Sequence, residues 1–470
     1  MKKPTCRKKP ARKVVRTTQP VQTKTTAPNL VQDFAASLEQ HLIKLPLNPL
    51  AHTSGFRRRK PKKLTPILFV RAACLLVTLG TVSYRRWAGL IGLLGGCTLS
   101  KQALFERLTP GAVGFLQAVL GALLGALAIT PDVAPAALRG FKRVLVQDST
   151  AVQLSRKLAR FFPGARNQRG AQAGMLKIQA CYDLLAHSFV NFSLSSYRRN
   201  DQAASPDVLP LVQPGDLIIR DLGYFVLAVL QQIAAAKAHF LSRLRLGVSL
   251  WEADGRKAVN LLARLRASAD HWDAQVCLGK EKVPVRLVAI RLPAAVAAQR
   301  RRLARKNRDR RSAPSAERLA LLGWALYITN VPATQLSAHA VAEVYGLRWR
   351  IETIFKAWKS YFALTEVPAG SKTQVQCLIY AKLIFITLFQ TSFGRSQAQA
   401  QERPALSLLK VAQEVQSYLL VFVLTHLGVD LARAWEQLVG THCRYERRRR
   451  NYFMQEASAS HRAASHPKIK

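Results

Sequence analysis

The sequence predicts an α/β protein: a mixed sheet with helices packed on it, a helical domain before it and a helical region after it. Three observations carry this. The β-branched runs RVLVQD (143–148) and DLIIRD (216–221) each close on an acid, as buried strands leading into turns do. A helix over 224–237 and a strand over 240–246 follow the second run, the alternation that builds a sheet with helices on it. On either side of 141–372, apolar residues recur at helical spacing.

The elements follow in order. Residues 1–63 hold 16 Lys or Arg and two acids among Pro, Thr and Gln, which predicts a basic arm disordered until it meets a polyanion. Within it, 57–63 (RRRKPKK) reads as a linker lying along DNA. Residues 64–140 read as helical. In this domain 83–94, the turn 95–98 and 99–108 resemble a helix-turn-helix, with Thr98 as the cap of the second helix and Lys101, Gln102 and Arg107 as candidate DNA contacts. The plain alternative is an ordinary helical hairpin. The uncharged run 111–130 is long enough to span a bilayer, yet Phe115, Leu116, Val119, Leu120, Leu123, Leu124 and Leu127 keep one helical face with Gly and Ala opposite. A core helix is expected there, and no membrane role.

Within 141–372, strands are also expected at 174–183 and 186–194, and residues 247–330 read as a β-rich insertion. The insertion carries strands near 274–292 and a basic helix with Arg300, Arg301, Arg302, Arg305, Lys306, Arg308, Arg310 and Arg311. The strand 324–330 leads out of it. Residues 373–435 are largely helical, and 444–450 begins a basic tail within the C-terminal region 373–470.

Composition narrows the function. With 71 Lys plus Arg against 26 Asp plus Glu, the formal charge is +45, and a surface this basic points to nucleic acid or an anionic membrane. Seven scattered cysteines without C-x-x-C spacing indicate neither a zinc site nor a disulfide framework and suit a reducing cytosol. No apolar run occurs in the first 28 residues, so a secretory signal is not expected. No P-loop motif is present.

Because acids are scarce, three stand out: Asp148, Asp221 and Glu352. Gathered together, they form a hard-oxygen site for Mg²⁺ or Mn²⁺. Each has a plain alternative: a strand end or turn for Asp148, a turn for Asp221, and an i,i+4 pair with Lys356 for Glu352. On a straight helix Tyr345, Arg348, Glu352 and Lys359, at offsets 0, 3, 7 and 14, share an arc of about 60°. That row suits a carboxylate holding a metal while cations and a phenol grip phosphates.

These four residues match the Y-x2-R-x3-E-x6-K signature of bacterial insertion-sequence DDE transposases of the "IS four" group. Asp148 in VLVQDST and Asp221 in IIRDLGY resemble that family's first and second catalytic aspartates, over about 140 to 395 of this chain. The resemblance implies an RNase H-like core interrupted by a β-rich insertion. Asp148, Asp221 and Glu352 would be its metal-binding triad, served by two Mg²⁺ ions for which Mn²⁺ can substitute. Tyr345, Arg348 and Lys359 would hold phosphates of double-stranded DNA, at terminal repeats and target. Trp324 would stack a flipped base, its plain alternative being core packing. Gly346 departs from the bulkier or basic residue of many relatives and leaves the placing of Tyr345 open. Cut-and-paste movement through a hairpin intermediate is implied, by a homodimer or larger synaptic assembly in the cytoplasm, associated with the nucleoid. The alternatives are a nuclease or resolvase without strand transfer, and a catalytically inactive DNA-binding relative.

Overall fold

The described part of 30–126 consists of six helices and the turns between them, and four of the six carry a start signal of their own. A computed structural model describes residues 30–57, 63–127, 136–166, 172–306, 314–399, 406–430 and 432. Helices α1 (Leu30–Lys44) and α2 (Leu47–Thr53) come first, then α3 (Pro66–Leu76), α4 (Tyr84–Gly95), α5 (Lys101–Arg107) and α6 (Pro110–Ala126). Thr65, Ser83, Ser100 and Thr109 cap α3 to α6 by accepting a backbone N–H three residues on, and Pro66 and Pro110 occupy first-turn positions that need no donor.

Two expectations for this region are corrected. The arm expected over 1–63 is already helical from residue 30: Phe34, Leu38 and Leu42 are buried, and α1 packs on the C-terminal helices. Its apolar i, i+4 spacing outweighs the basic composition of the segment. The cap of α5 is Ser100, not Thr98, because α4 ends at Gly96 in the left-handed conformation (φ 57°), and Cys97, Thr98 and Leu99 then separate that turn from the cap of the two-turn α5. Residues 1–29, most of the 57–63 linker, Arg308, Arg310, Arg311 and the 444–450 tail lie outside the described residues.

Helix α6 is a core helix: Phe115, Leu116, Val119, Leu120 and Leu123 are buried, and it packs along α13 (Lys372–Gln399). Among the described residues, α13 and α14 (Leu408–His426) are long and apolar enough to cross a bilayer. The apolar window of α13 is almost wholly buried in the protein, while that of α14 is 33% buried.

Ten strands form one sheet: β1 (Val144–Leu154), β2 (Pro163–Arg166), β3 (Gln172–Asp183), β4 (Ser188–Ser196), β5 (Leu217–Arg220), β6 (His239–Arg243), β7 (Leu250–Glu252), β8 (His271–Leu278), β9 (Val283–Arg291) and β10 (Trp324–Thr329). Their order is β2-β3-β1-β5-β6-β10-β9-β8-β7, with β4 on β3. β1, β5 and β6 are parallel; β3 runs antiparallel to β1 and β10 antiparallel to β6. Two differences from the expected strands matter. β1 does not end at Asp148 but continues to Leu154, because β3 pairs with it along that whole length. The inserted strands are not a separate unit: they extend the main sheet across the β6–β10 pair.

The remaining helices are α7 (Leu227–Ala235), α8 (Leu261–Ala267), α9 (Ala294–Lys306), α10 (Ala316–Leu321), α11 (Ala338–Gly346) and α12 (Trp349–Ser360). They divide the core by sheet face. Val144, Val146, Leu217 and Ile219 face a core shared with α11, α12, α13 and the N-terminal helices. Leu145, Ile218, Phe240, Leu326 and Ile328 face a second core with α7 and α8. Strand alternation therefore decides which residues look toward α12.

Candidate active site

Adjacent parallel strands bring the two aspartates together. β1 and β5 are registered Val144 to Leu217 through Gln147 to Arg220, so Asp148 and Asp221 are the next pair along, on the face shared with Val146 and Ile219. Asp221 leaves β5 into a one-turn 3-10 helix at Leu222–Tyr224, which it caps by accepting the Gly223 N–H at 3.2 Å. The turn reading of Asp221 thus holds, and the same carboxylate lines one cleft with Asp148.

Glu352 comes from α12. That helix buries Ile351, Ile354, Phe355 and Trp358, with Trp358 against Phe189 and Phe192, which turns Glu352 toward β1. Just beyond its far end, buried Lys382 of α13 donates to the carbonyls of Ala363 (2.6 Å), Leu364 (3.4 Å) and Glu366 (2.8 Å). Burial pushes that ammonium down to about 7.

Tyr345 and Glu352 do not share one helix. The chain tightens between α11 and α12: the N–H groups of Leu347, Arg348 and Arg350 donate to Val344, Tyr345 and Leu347, three residues back. Such a 3-10 joint turns through three residues rather than 3.6, so the projection of a straight helix does not carry across it. The expected four-residue row is corrected accordingly. Tyr345 belongs to α11, is buried, and packs on Tyr327 with ring centroids 5.2 Å apart. Burial pushes its phenol up to about 12.

Arg348, at the joint, lies among the acids. Its Nη1 is 2.7 Å from Glu352 and 3.7 Å from Asp148, and its Nε is 3.6 Å from Asp221. Glu352 therefore pairs with Arg348 and not with Lys356. The acids open onto a cleft of about 610 Å³, lined on one side by Asp148 to Ala151 with Asp221 and on the other by Arg348, Glu352, Phe355, Lys356, Lys359 and Ser360. Burial pushes the Asp148 carboxyl up to about 6, against the N–H of Ser149 and the charge of Arg348, which hold it down.

The donor set suits a hard divalent cation: three carboxylates on three elements, one of them with its carboxyl raised by burial. As they stand, no three acids among the described residues converge closely enough to share an ion, and the Arg348 guanidinium supplies the positive charge between them.

Lys359 lines the cleft as expected; Tyr345, Trp324, Lys101, Gln102 and Arg107 do not. Lys101, Gln102 and Arg107 are exposed on α5. Trp324 is 8% exposed and aligns with Leu326 and Ile328 on the sheet face away from α12, with the Arg291 guanidinium 4.7 Å from its ring. The stacking expectation for Trp324 thus gives way to core packing, for strand parity turns its side chain from the acids.

Sequence reasoning missed two residues here. Trp349 is 64% exposed and its ring lies 5.6 Å from the Arg348 guanidinium. The signal was a tryptophan at a helix position off the apolar stripe. Asp201, in the loop after β4, accepts from Ser149 (3.0 Å), Lys177 (3.0 Å) and Gln179 (3.4 Å), and Tyr224 donates to Gln179. It ties the strand of Asp148 to the turn of Asp221; its polar surroundings gave no signal.

A mixed sheet that brings acids from two parallel strands and a helix into a basic-rimmed cleft is the architecture of an enzyme that cuts polynucleotides. Residues 139–388 match the family model described as the transposase DDE domain, and the chain belongs to that family. It is similar to the transposase for insertion sequence element IS231E of Bacillus thuringiensis subsp. finitimus, 28% identical over 414 residues that cover 83% of this chain and 86% of that protein. The transposase for IS231C of B. thuringiensis subsp. berliner is 29% identical over the same shares. The transposase for IS1151 of Clostridium perfringens is 26% identical over 62% of this chain and 66% of that protein. The chain is a DDE transposase, acting by DNA cleavage and transesterification.

Proposed function

We propose that Asp148, Asp221 and Glu352 are the metal-binding triad of a transposase that cuts the ends of its own insertion sequence and joins them to target DNA. One observation carries this: acids from β1, the end of β5 and α12, spread over about 200 residues of sequence, meet around a single guanidinium in one cleft. Two Mg²⁺ ions, with Mn²⁺ able to substitute, would polarise the scissile phosphodiester, activate the attacking water or hydroxyl and stabilise the leaving oxygen. Asp148, Asp221 and Glu352 would hold them. Arg348 moves onto a DNA phosphate when the acids load, Lys359 grips the backbone at the rim, and Tyr345 supports Arg348 from behind, 5.9 Å from its guanidinium. Trp349, exposed beside Arg348, offers the aromatic surface for a base drawn from the stack.

The strand order β4-β3-β1-β5-β6, with β1, β5 and β6 parallel, supports an RNase H-like core over 141–372, enlarged at the β6 edge by the strands of 247–330. Residues 64–140 form the DNA-binding domain, with Lys101, Gln102 and Arg107 contacting the duplex, and 373–470 the C-terminal region. A nick frees a 3′-hydroxyl that attacks the opposite strand, so the element leaves through a hairpin and moves by cut-and-paste. Two ends held together call for a homodimer or larger assembly, working in the cytoplasm on nucleoid DNA with no membrane partner.

The test is Mg²⁺-dependent cleavage of a duplex carrying the element's terminal repeat, comparing wild type with Glu352→Gln. Cleavage and joining by wild type, and neither by a variant that still binds DNA, are expected. Equal cleavage by both overturns the assignment.

A further inference from the structure

β1 carries one more polar group toward the cleft. Along the face that looks at α12, the strand reads Val144, Val146, Asp148, Thr150, Val152. Valine fills three of these positions, and threonine differs from valine only in exchanging a methyl for a hydroxyl. Thr150 is 4% exposed and lines the cleft, yet its Oγ1 has no hydrogen-bond partner. Leaving a buried hydroxyl unpaired costs stability that valine would not cost. Its neighbour Ser149 also borders the cleft, but its hydroxyl is satisfied by Asp201 at 3.0 Å.

What else lines the cleft tells which ligand would satisfy it. Past Glu352 the helix side of the cleft bears Lys356 and Lys359, both exposed and neither in an ion pair among the described residues. Beyond the triad, the cleft lining holds no carboxylate. A hydroxyl and two ammonium groups make an anion site. Two residues along a strand advance roughly 6.6 Å and four along a helix about 6 Å, so both walls move by one step comparable to that between successive phosphates of a strand.

We propose that Thr150 Oγ1, with Lys356 and Lys359, binds the phosphate next to the scissile one and so fixes the register of the cleaved strand over the acids. The proposal rests on reading those acids as the cleavage centre. The ligand is the backbone of DNA, through a non-bridging phosphate oxygen that accepts from the hydroxyl.

The experiment uses the full chain and a terminal-repeat duplex, with Thr150→Val and Thr150→Ser, and measures binding in EDTA. Thr150→Val should melt no earlier than wild type, because it removes an unpartnered hydroxyl without changing shape, yet bind about tenfold more weakly. Thr150→Ser should keep most of the affinity. A duplex with a neutral methylphosphonate beside the scissile position should weaken wild type clearly more than Thr150→Val, which keeps only the two ammonium groups at that phosphate. Undiminished binding by Thr150→Val, or equal sensitivity of both proteins to the methylphosphonate, overturns the proposal. If Thr150→Val melts early, Lys356→Met, at an exposed position, takes its place in the same comparison. Failure of the underlying reading is seen separately, as cleavage by Glu352→Gln.

Discussion

Replacing Asp148 with asparagine should make the protein more stable, and most strongly at neutral to alkaline pH. Burial raises the Asp148 carboxyl from its ordinary 3.8 to about 6 in the folded chain. Below pH 3.8 the group is protonated in both states and contributes nothing. Between the two values the unfolded chain releases its proton while the folded one keeps it, so stability falls as pH rises. Above 6 the deficit is constant at about 3 kcal/mol, since a shift of roughly two units at about 1.4 kcal/mol each separates the states. At pH 4.5 it is only about 1 kcal/mol. Asparagine keeps the shape and never ionises, so it escapes the deficit. Thermal unfolding of wild type and Asp148→Asn, in EDTA and without DNA, should give the variant the higher midpoint at pH 8 and a much smaller advantage at pH 4.5. An equal gap at both pH values, or a variant less stable at pH 8, would refute the assignment of the strain to a buried charge. Mg²⁺ should then raise the wild-type midpoint more than that of the variant, because only wild type has a charge there to neutralise.

Other perturbations separate roles that share the cleft. Arg348→Gln takes the cation from among three carboxylates, so the DNA-free protein should bind Mn²⁺ more tightly, read by electron paramagnetic resonance, while terminal-repeat binding weakens; unchanged Mn²⁺ affinity would sink the idea that Arg348 holds the place of the ion. Trp324→Ala should destabilise the fold by about 3–5 kcal/mol through the cavity it leaves, whereas Trp349→Ala should leave the melting temperature alone and cut end binding and cleavage. A stable Trp324→Ala with lost cleavage would reverse those assignments.

Much of the site was legible because its parts are local. An acid at the end of a β-branched run, or at fixed offset from Arg348 in one helix, can be read from a few neighbouring residues. Strand order could not be read that way: β10 pairs with β6 across about 85 intervening residues, and that pairing joins the insertion to the main sheet. Gly346 left the placing of Tyr345 open in the sequence, and the straight-helix row fails there because the backbone tightens just after it. Asp201 went unread because its importance lies only in the partners that converge on it.

By itself, then, the sequence determined the class of element over most of the chain, its strongly basic charge and the choice of three acids that the fold brings around Arg348, all of them short-range properties of residue type and spacing. Tertiary structure alone decided which way each side chain looks. A strand side chain reverses direction at every residue, and which face is buried depends on pairing with distant strands. That parity turned Trp324 into the second core, held Thr150 in the cleft without a partner, and let one arginine settle among all three acids.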